Sequence, residues 1–412
     1  MRLRIPATLR LVEFRRFWIG QSVSMLGDQV TIIALPLTAV LVLDVTPAEM
    51  GYLTAAELLP NLIFSLHAGA WVDRRGSQRQ TMIAADIGRG LLLGSVPIAY
   101  AFDVLTIQQL YVVGFFSGVC SVLFFVAYNT VFTNLVEREH YVEANSLTNG
   151  SRAATFVVGP SIAGLLVQAV SGPFTLAIDA VSFLVSAVFL GTIHPRQPEP
   201  EEHQRGSVMV GARFIAGDLM LRTMLLSVAT INLFNFAFWA IYFLYVTHEL
   251  HISAAAIGLV LGTAAVGTLL GSVITGPLTR RFGIGPVYTL GVILFPLPLV
   301  LVPLAGGPRP LVFAMLVVSE FISGIGLMML DINGGVIYQA AVPERLISRF
   351  FGAFLTVNYG VRPIGSLAGG LLGETLGLRP ALWIASVGAL VGVLFLLPTP
   401  VPRMRDLPER RA

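Results

Sequence analysis

Among the ionisable residues inside the apolar runs of this 412-residue chain, four carry most of the chemistry that its sequence offers. Asp28 and Glu57 are carboxylic acids that can bind and release a proton or hold a cationic group. Arg152 and Arg362 are permanent cations that can attract an anion. Because such side chains are costly in apolar surroundings, we expect proton coupling or substrate binding from this set. A structural hydrogen bond to a neighbouring helix is the alternative for each.

Other charged residues in apolar runs have simpler explanations. Asp86 and Arg89 are three residues apart on one predicted helix, so they share a face and can neutralise each other. His67 fits a packing residue better than a titrating one, whereas Glu320 is a further ionisable candidate. Both lone arginines need acidic partners, and the sequence leaves four open: Asp28, Glu57, Asp179 and Asp331.

One apolar run carries polar and aromatic residues at helical spacing. Asn235, Trp239 and Tyr242 fall on one predicted face, since residues three and four apart are neighbours on a helix. A wall of this kind suits a large amphipathic substrate. We therefore expect these three residues to bind substrate.

The sequence offers no catalytic or metal-binding constellation. Its one cysteine, Cys120, lies in an apolar run, and no Cys/His cluster has the spacing of a zinc site. All 26 basic residues are Arg, so a phosphate-binding loop ending in Gly-Lys-Ser/Thr is excluded. We expect no enzyme activity and no cofactor or metal; an ion gradient, with the proton gradient favoured, or the substrate's own gradient must supply the energy.

The composition places these residues in a membrane. The chain is 55% hydrophobic and 12% charged, with a mean hydropathy of +0.79, whereas soluble domains carry about 25% charged residues. About 20 apolar residues cross a bilayer as a helix, and lipid requires every backbone polar group to be satisfied internally. The predicted fold class is therefore an all-α membrane protein.

Twelve spans follow from the apolar runs. In the first half they are 17–43, 50–72, 81–101, 107–132, 147–170 and 173–193. In the second half they are 223–247, 255–279, 285–305, 310–337, 350–374 and 379–398.

The arginines orient these spans. With both termini on one side, 21 arginines fall on that side, 2 on the other, and 3 within spans. Because basic residues are retained on the cytoplasmic face, both termini are predicted to be cytoplasmic. Membrane lipid and a small-molecule substrate are the expected partners. The net charge of +3 does not indicate nucleic-acid binding, and we expect a monomer.

Polar sequence divides the chain into four parts. The predicted parts are an N-terminal six-helix half at 1–193, a linker at 194–222, a C-terminal six-helix half at 223–400 and a cytoplasmic tail at 401–412. The linker begins with a Pro-rich and charged stretch. It then continues into a short amphipathic pattern from Val208, which predicts a helix on the inner surface.

The two halves repeat each other. Residues 51–76 align without gaps to residues 258–283, so that Gly69 matches Gly276 and Arg74 matches Arg281. The same offset of 207 sets Asp28 against the neutral Asn235. Six spans, a linker and six similar spans form a parallel repeat, which is one architecture of membrane transporters.

A motif between spans two and three identifies a family. The pattern Gly69-x-x-x-Asp73-Arg74-x-Gly76-x-x-Arg79 resembles the signature loop of the major facilitator superfamily. Further stretches resemble the branch of enterobactin exporters and macrolide efflux proteins: residues 14–30, 143–166 and 211–222.

The resemblance implies roles for two motifs. It implies that Asp73 latches the halves together, with Gly69, Arg74, Gly76 and Arg79 building the loop. Many relatives have an Arg partner on span four, and residues 107–132 contain none, so another partner is expected. A second motif resembles the packing motif of exporters, and its small residues let helices approach closely. Its residues are Gly159, Pro160 and Gly164.

The expected function is secondary active export. The chain resembles proton-coupled transporters that expel a drug, macrolide or siderophore from bacteria across the plasma membrane by alternating access. An uptake carrier or lipid flippase of the same fold is the nearest alternative. A membrane receptor or scaffold that does not transport is the alternative from another class.

Overall fold

The computed structural model describes residues 6–75, 77–195 and 208–408, apart from the side chains of 65–71, 73–75 and 208. Helices occupy each predicted span, and the described residues contain no strand. The first six are α1 Val12–Val42, α2 Pro47–Arg75, α3 Gln78–Ala101, α4 Ile107–Leu135, α5 Tyr141–Val170 and α6 Gly172–Gly191. The later ones are α7 Val208–Gly217, α8 Leu219–Leu244, α9 Ala254–Phe282, α10 Ile284–Leu294, α11 Leu301–Leu304, α12 Arg309–Ala341, α13 Ile347–Leu376 and α14 Leu378–Leu394.

Their lengths and composition fit a membrane. Among the described residues, nine helical segments are long and apolar enough to cross a bilayer, and α14 is a shorter apolar helix. Helices α2 and α13, with 29 and 30 residues, fill the two remaining predicted spans. The all-α membrane fold predicted from the sequence is confirmed.

Short polar residues begin several helices. The Asp218 carboxylate accepts a hydrogen bond from the backbone N–H of Leu221, at 3.0 Å, and caps α8. Side chains of Thr106 and Ser253 cap α4 and α9 in the same way. Such caps satisfy N–H groups that a helix start leaves without partners. Helix α7 begins at Val208, where the sequence predicted a short helix within the linker.

The ninth span differs from a simple helix. It is divided into α10, a 3-10 turn at Leu297–Val300 and α11, because Pro296 and Pro298 supply no backbone N–H. Hydroxyl groups of α12 bind carbonyls near this break: Ser323 donates to Phe295 O at 2.7 Å, and Ser319 donates to Pro298 O at 2.8 Å. Helix breaks in a membrane persist where neighbouring polar groups satisfy the backbone in this way.

Contacts divide the chain into two compact units. Unit 1 contains Met1–Val45 and Ala56–Glu202, and unit 2 contains Thr46–Ala55 and His203–Ala412. The division passes through α2, whose first turns pack within unit 2 against α13. A Cβ added at Gly51 would lie 2.9 Å from the Gly370 Cα, so the two helices touch through their backbones.

Each unit has its own apolar core. The core of unit 1 surrounds the fully buried Phe14 and Phe17 of α1, which pack on Phe132 of α4. That of unit 2 surrounds Tyr288 and Phe350, with α7 contributing the buried Ile215. These cores hold the helices that carry the charged residues.

Candidate substrate and proton sites

A charge network in unit 1 centres on Arg89 of α3. Its Nη1 lies 3.4 Å from Asp28 Oδ1 on α1, and its Nη2 pairs with Asp86 one turn earlier on α3. The pairing of Asp86 with Arg89, predicted from their spacing, is confirmed. The link to Asp28 adds a second carboxylate to the same guanidinium group.

The members of this network differ in exposure. The Asp86 side chain is 0% exposed and that of Arg89 5%, whereas the Asp28 side chain is 47% exposed. The Arg89 guanidinium also lies over two rings, 4.0 Å from the centroid of Phe183 and 4.7 Å from that of Phe124. These contacts fix the arginine, and Asp28 is the member that remains accessible to solutes.

Asp179 of α6 brings a third carboxylate close to Arg89. The hydroxyl group of Ser182 donates to Asp179 Oδ1 at 2.8 Å, and that of Thr31 donates to Oδ2. Gly27 makes this approach possible, because a Cβ there would lie 1.9 Å from Asp179 Oδ1. Asp179, which the sequence offered as an arginine partner, is thus held mainly by hydroxyl groups.

Arg152 and Glu57 occupy different surroundings in unit 1. The charge of Arg152 acts on Asp28 without a direct ion pair between them in the described part of the chain. The Glu57 carboxyl group makes no hydrogen bond or ion pair with the described residues. Gly118 of α4 lies against the Glu57 carbonyl and Pro60. The structure therefore brings Asp28 and Arg152 near each other and leaves Glu57 separate.

A cavity in unit 2 contains the second predicted arginine. Its volume is about 300 Å³, and its wall includes Arg362, Asp331, Asn358 and Asn232. Arg362 Nη2 donates to Asn358 Oδ1 at 3.4 Å. The Arg362 guanidinium lies 4.7 Å from the centroid of the Tyr359 ring. Asp331, one of the four partners left open by the sequence, lies in the same wall, and its charge acts on Arg362.

The predicted aromatic face of α8 lies outside this cavity. Tyr242 is 0% exposed and packs on Trp239, with ring centroids 4.9 Å apart, and Asn235 is 8% exposed. Residues of α8 one to two turns before Asn235 line the cavity instead: Val228, Ile231 and Asn232.

Two residues of the cavity wall were not predicted from the sequence, although helical spacing on α12 could have indicated one of them. Tyr288 and Tyr338 line the cavity, and both are almost fully buried. On α12 the lining positions are Leu327, Leu330, Asp331, Gly334, Gly335 and Tyr338. The last four are spaced by three, four and seven residues, which marks one helical face.

The two predicted motifs are described in part. Gly69, Asp73 and Arg74 lie where side chains are outside the described residues, and Gly76 is outside them altogether, so the latch prediction is not tested. Arg79 donates to the Gly191 carbonyl at 2.9 Å, which joins the start of α3 to the end of α6.

The packing motif of α5 faces α1. Gly159, Pro160 and Gly164 are all buried. A Cβ at Gly159 would lie 2.5 Å from Gln29 Cβ, so the glycine permits close contact of the two helices.

Known proteins resemble this chain along nearly its whole length. The family described as "Transmembrane secretion effector", within the major facilitator superfamily, matches residues 6–410. The multidrug efflux pump Tap of Mycolicibacterium fortuitum is 23% identical over 397 residues, covering 92% of this chain and 93% of the pump. The uncharacterized MFS-type transporter YfiS of Bacillus subtilis is 25% identical over 394 residues, covering 92% and 91%.

A solved structure agrees in fold. The nucleoside transporter NupG superposes with a TM-score of 0.76 at 14% identity, covering 93% of this chain and 98% of NupG. At this identity the likeness concerns the fold alone. With the match of the family over residues 6–410, these findings identify the chain as a multi-pass membrane protein of the transmembrane secretion effector family, a group of major facilitator superfamily transporters.

Proposed function

We propose that this protein exports small amphipathic molecules across a bacterial plasma membrane in exchange for protons. The names of its relatives support a drug-like substrate, since several are multidrug efflux pumps. The placement of 21 arginines on one side supports cytoplasmic termini. We propose that the chain works as a monomer.

The observation that carries proton coupling is the position of Asp28. Its half-exposed carboxylate contacts Arg89, while the buried Asp86 holds the same arginine from the other side. A proton bound at Asp28 removes its negative charge and weakens its hold on Arg89. Asp86 keeps Arg89 in place. Protonation therefore releases a link between α1 and α3 without leaving a buried arginine unpaired.

Glu57 is a second proton site in this proposal. Its carboxyl group has no partner among the described residues, so a proton is the simplest means of removing its charge. Arg152 is proposed to tune the network, because it lies close enough for its positive charge to act on Asp28. On α8, Asn235, Trp239 and Tyr242 remain proposed substrate contacts.

The loop between α2 and α3 is the proposed conformational latch. Asp73 supplies the carboxylate, and Gly69, Arg74 and Gly76 shape the loop around it. Arg79 anchors the end of the loop through its hydrogen bond to the Gly191 carbonyl.

Transport in vesicles tests the coupling. Purified protein is reconstituted with the fluorescent amphipathic amine monodansylcadaverine on one side, and a pH gradient is imposed. Asp28→Asn is expected to lose the gradient-driven component, because Asn cannot exchange a proton, while keeping downhill movement of the amine. Imposing the gradient in either direction across oriented vesicles also distinguishes export from uptake.

A matched variant controls for charge removal. Asp103 lies in the exposed connection between α3 and α4 with a φ of 56°, a conformation that Asn also tolerates. Asp103→Asn is expected to keep full gradient-driven transport. Undiminished gradient-driven transport by Asp28→Asn would show that protons are not coupled through this residue.

A further inference from the structure

We propose that the cavity of unit 2 is a binding site for zwitterionic amphiphiles. Asp331 binds the ammonium group of the ligand and Arg362 binds its carboxylate. This inference rests on the proposed export of small amphipathic molecules and specifies their charge.

The first argument is that the two charged residues of the cavity, Asp331 and Arg362, do not form an ion pair with each other in the described part of unit 2. Asp331 and Arg362 line the same space, and their charges interact. No ion pair or hydrogen bond joins them in the described part of the chain, where the hydrogen bond of Arg362 goes to Asn358. Asp331 is exposed to the cavity and makes no hydrogen bond within the same described residues. Each charge is therefore available to a ligand.

The second argument comes from two tyrosine hydroxyl groups. Tyr288 is 0% exposed and Tyr338 is 5% exposed, and both line the cavity. The two hydroxyl groups lie close to each other, and neither has a further hydrogen-bond partner in the described structure. Because a contact between two hydroxyl groups leaves at least one donor hydrogen without an acceptor, and an unpaired buried polar group is costly, they favour a ligand that brings polar atoms into the cavity.

The third argument concerns the apolar part of the ligand. Three aromatic side chains, Phe295, Phe351 and Phe354, form another part of the wall. The volume of about 300 Å³ lies at the lower end for small-molecule sites. The cavity is large enough for a charged head group and part of an aromatic body.

A zwitterion fits this site better than an ion of one sign. A simple cation bound at Asp331 leaves Arg362 uncompensated, and a simple anion leaves Asp331 uncompensated. Removing water from a charge without supplying a counter-charge is unfavourable. A ligand with an ammonium and a carboxylate group satisfies both side chains at once.

Three fluorescent probes with one ring system test the preference. Nε-dansyl-lysine carries both charges, monodansylcadaverine lacks the carboxylate, and 6-(dansylamino)hexanoic acid lacks the ammonium group. Binding is measured by dansyl fluorescence with the full-length protein in lipid nanodiscs, without any gradient. The expected result is that the zwitterion binds about tenfold or more tightly than either analogue, the scale expected for a hydrogen bond to a charged group.

Two variants assign the charges. Asp331→Asn is expected to weaken binding of Nε-dansyl-lysine and monodansylcadaverine but not of the hexanoic acid probe. Arg362→Gln is expected to weaken binding of Nε-dansyl-lysine and the hexanoic acid probe but not of monodansylcadaverine. Glu320→Gln is the matched control on α12: it also removes a carboxylate, and Glu320 does not line the cavity, so it is expected to leave all three affinities unchanged. If Arg362→Gln does not yield folded protein, Asp331→Asn still decides whether the Asp331 carboxylate binds the ammonium group of the ligand.

The outcomes separate this inference from the proposed function. Equal affinities for the three probes, or an Asp331→Asn variant that binds the zwitterion normally, would overturn the zwitterion site even if Asp28-dependent export is found. Asp103→Asn, which removes a carboxylate from the exposed connection between α3 and α4, is expected to bind the zwitterion normally. Selective binding without proton-driven export would leave this site in place and refute the coupling.

Discussion

Arg89 organises more of unit 1 than any single carboxylate does. It contacts Asp28 and Asp86, and it packs on the rings of Phe124 and Phe183. Asp86 is the partner that depends on it most, since its carboxylate is fully buried and Asp28 is half exposed. The carboxylate proposed to carry the proton, Asp28, and the carboxylate that is buried against Arg89, Asp86, are therefore different residues.

This difference predicts unequal losses of stability. Arg89→Gln is expected to lower the free energy of unfolding by roughly 3–5 kcal/mol, because it leaves the Asp86 charge buried without its partner. Asp28→Asn is expected to cost much less, because Arg89 keeps Asp86. Thermal unfolding of the purified variants in detergent measures both effects.

A double variant gives the control. Arg89→Gln combined with Asp86→Asn removes both buried charges, and it is expected to recover part of the stability lost by Arg89→Gln alone. No recovery would mean that the ring contacts of Arg89, rather than its ion pair with Asp86, provide the stabilisation.

The sequence predicts which charged residues pair only where the two partners are close together in the chain. The pairing of Asp86 with Arg89 followed from helical spacing, whereas Asp28 is 61 residues away from Arg89, and only the packing of both α1 and α3 against α6 brings them together. Likewise, Tyr288 and Tyr338 belong to different helices. Long-range pairing depends on helix rotation, which composition does not determine.

At the scale of the helices, small residues set how closely α13 packs on α8. A Cβ at Gly365 would lie 2.1 Å from the Leu233 carbonyl oxygen, and one at Gly369 would lie 2.2 Å from that of Ala237. The two glycines are four residues apart and face the same helix. Backbone contact of this kind replaces side-chain packing where two helices meet in lipid.

Adding one methyl group at this contact is expected to be harmful. Gly369→Ala should lower stability by about 1–3 kcal/mol, because the backbone of α8 must move to admit the new atom. Gly276→Ala on α9 is the control, since the nearest atom to its new Cβ is the flexible end of Arg280, at 3.7 Å. Unfolding temperatures of the two variants in detergent should differ clearly; equal values would contradict the close contact of α13 with α8.

Helix ends were more predictable than helix breaks. Apolar runs between polar connections predicted all twelve spans to within several residues, because length and hydrophobicity decide whether a segment can cross a membrane. The division of the ninth span depends on Ser319 and Ser323, which belong to the next helix. The prolines were visible in the sequence, but the groups that stabilise the break were not.

At the scale of the molecule, α2 takes part in both compact units. Residues 46–55 belong to unit 2, where Pro47 and Gly51 pack on α13, and the rest of α2 belongs to unit 1. A Cβ at Gly373 would lie 3.0 Å from Pro47 Cβ. Two cysteines at these positions are close enough to form a disulfide after a small adjustment.

This contact predicts a reversible block of transport. In a Cys120→Ser background, Pro47→Cys with Gly373→Cys is expected to stop transport on oxidation, because the proposed alternating access requires the start of α2 to separate from α13. Reduction should restore transport. The single-cysteine variants should be insensitive to oxidant, and full transport by the cross-linked protein would show that the contact stays closed throughout the cycle.

Pro60 weakens α2 close to the boundary between the two units. A proline has no N–H to donate, so the hydrogen bond that would join residue 60 to the carbonyl of residue 56 is missing. Residue 56 is also the first residue of α2 assigned to unit 1. The helix that both units share is therefore weakest where it passes from one to the other, and it can act there as a hinge.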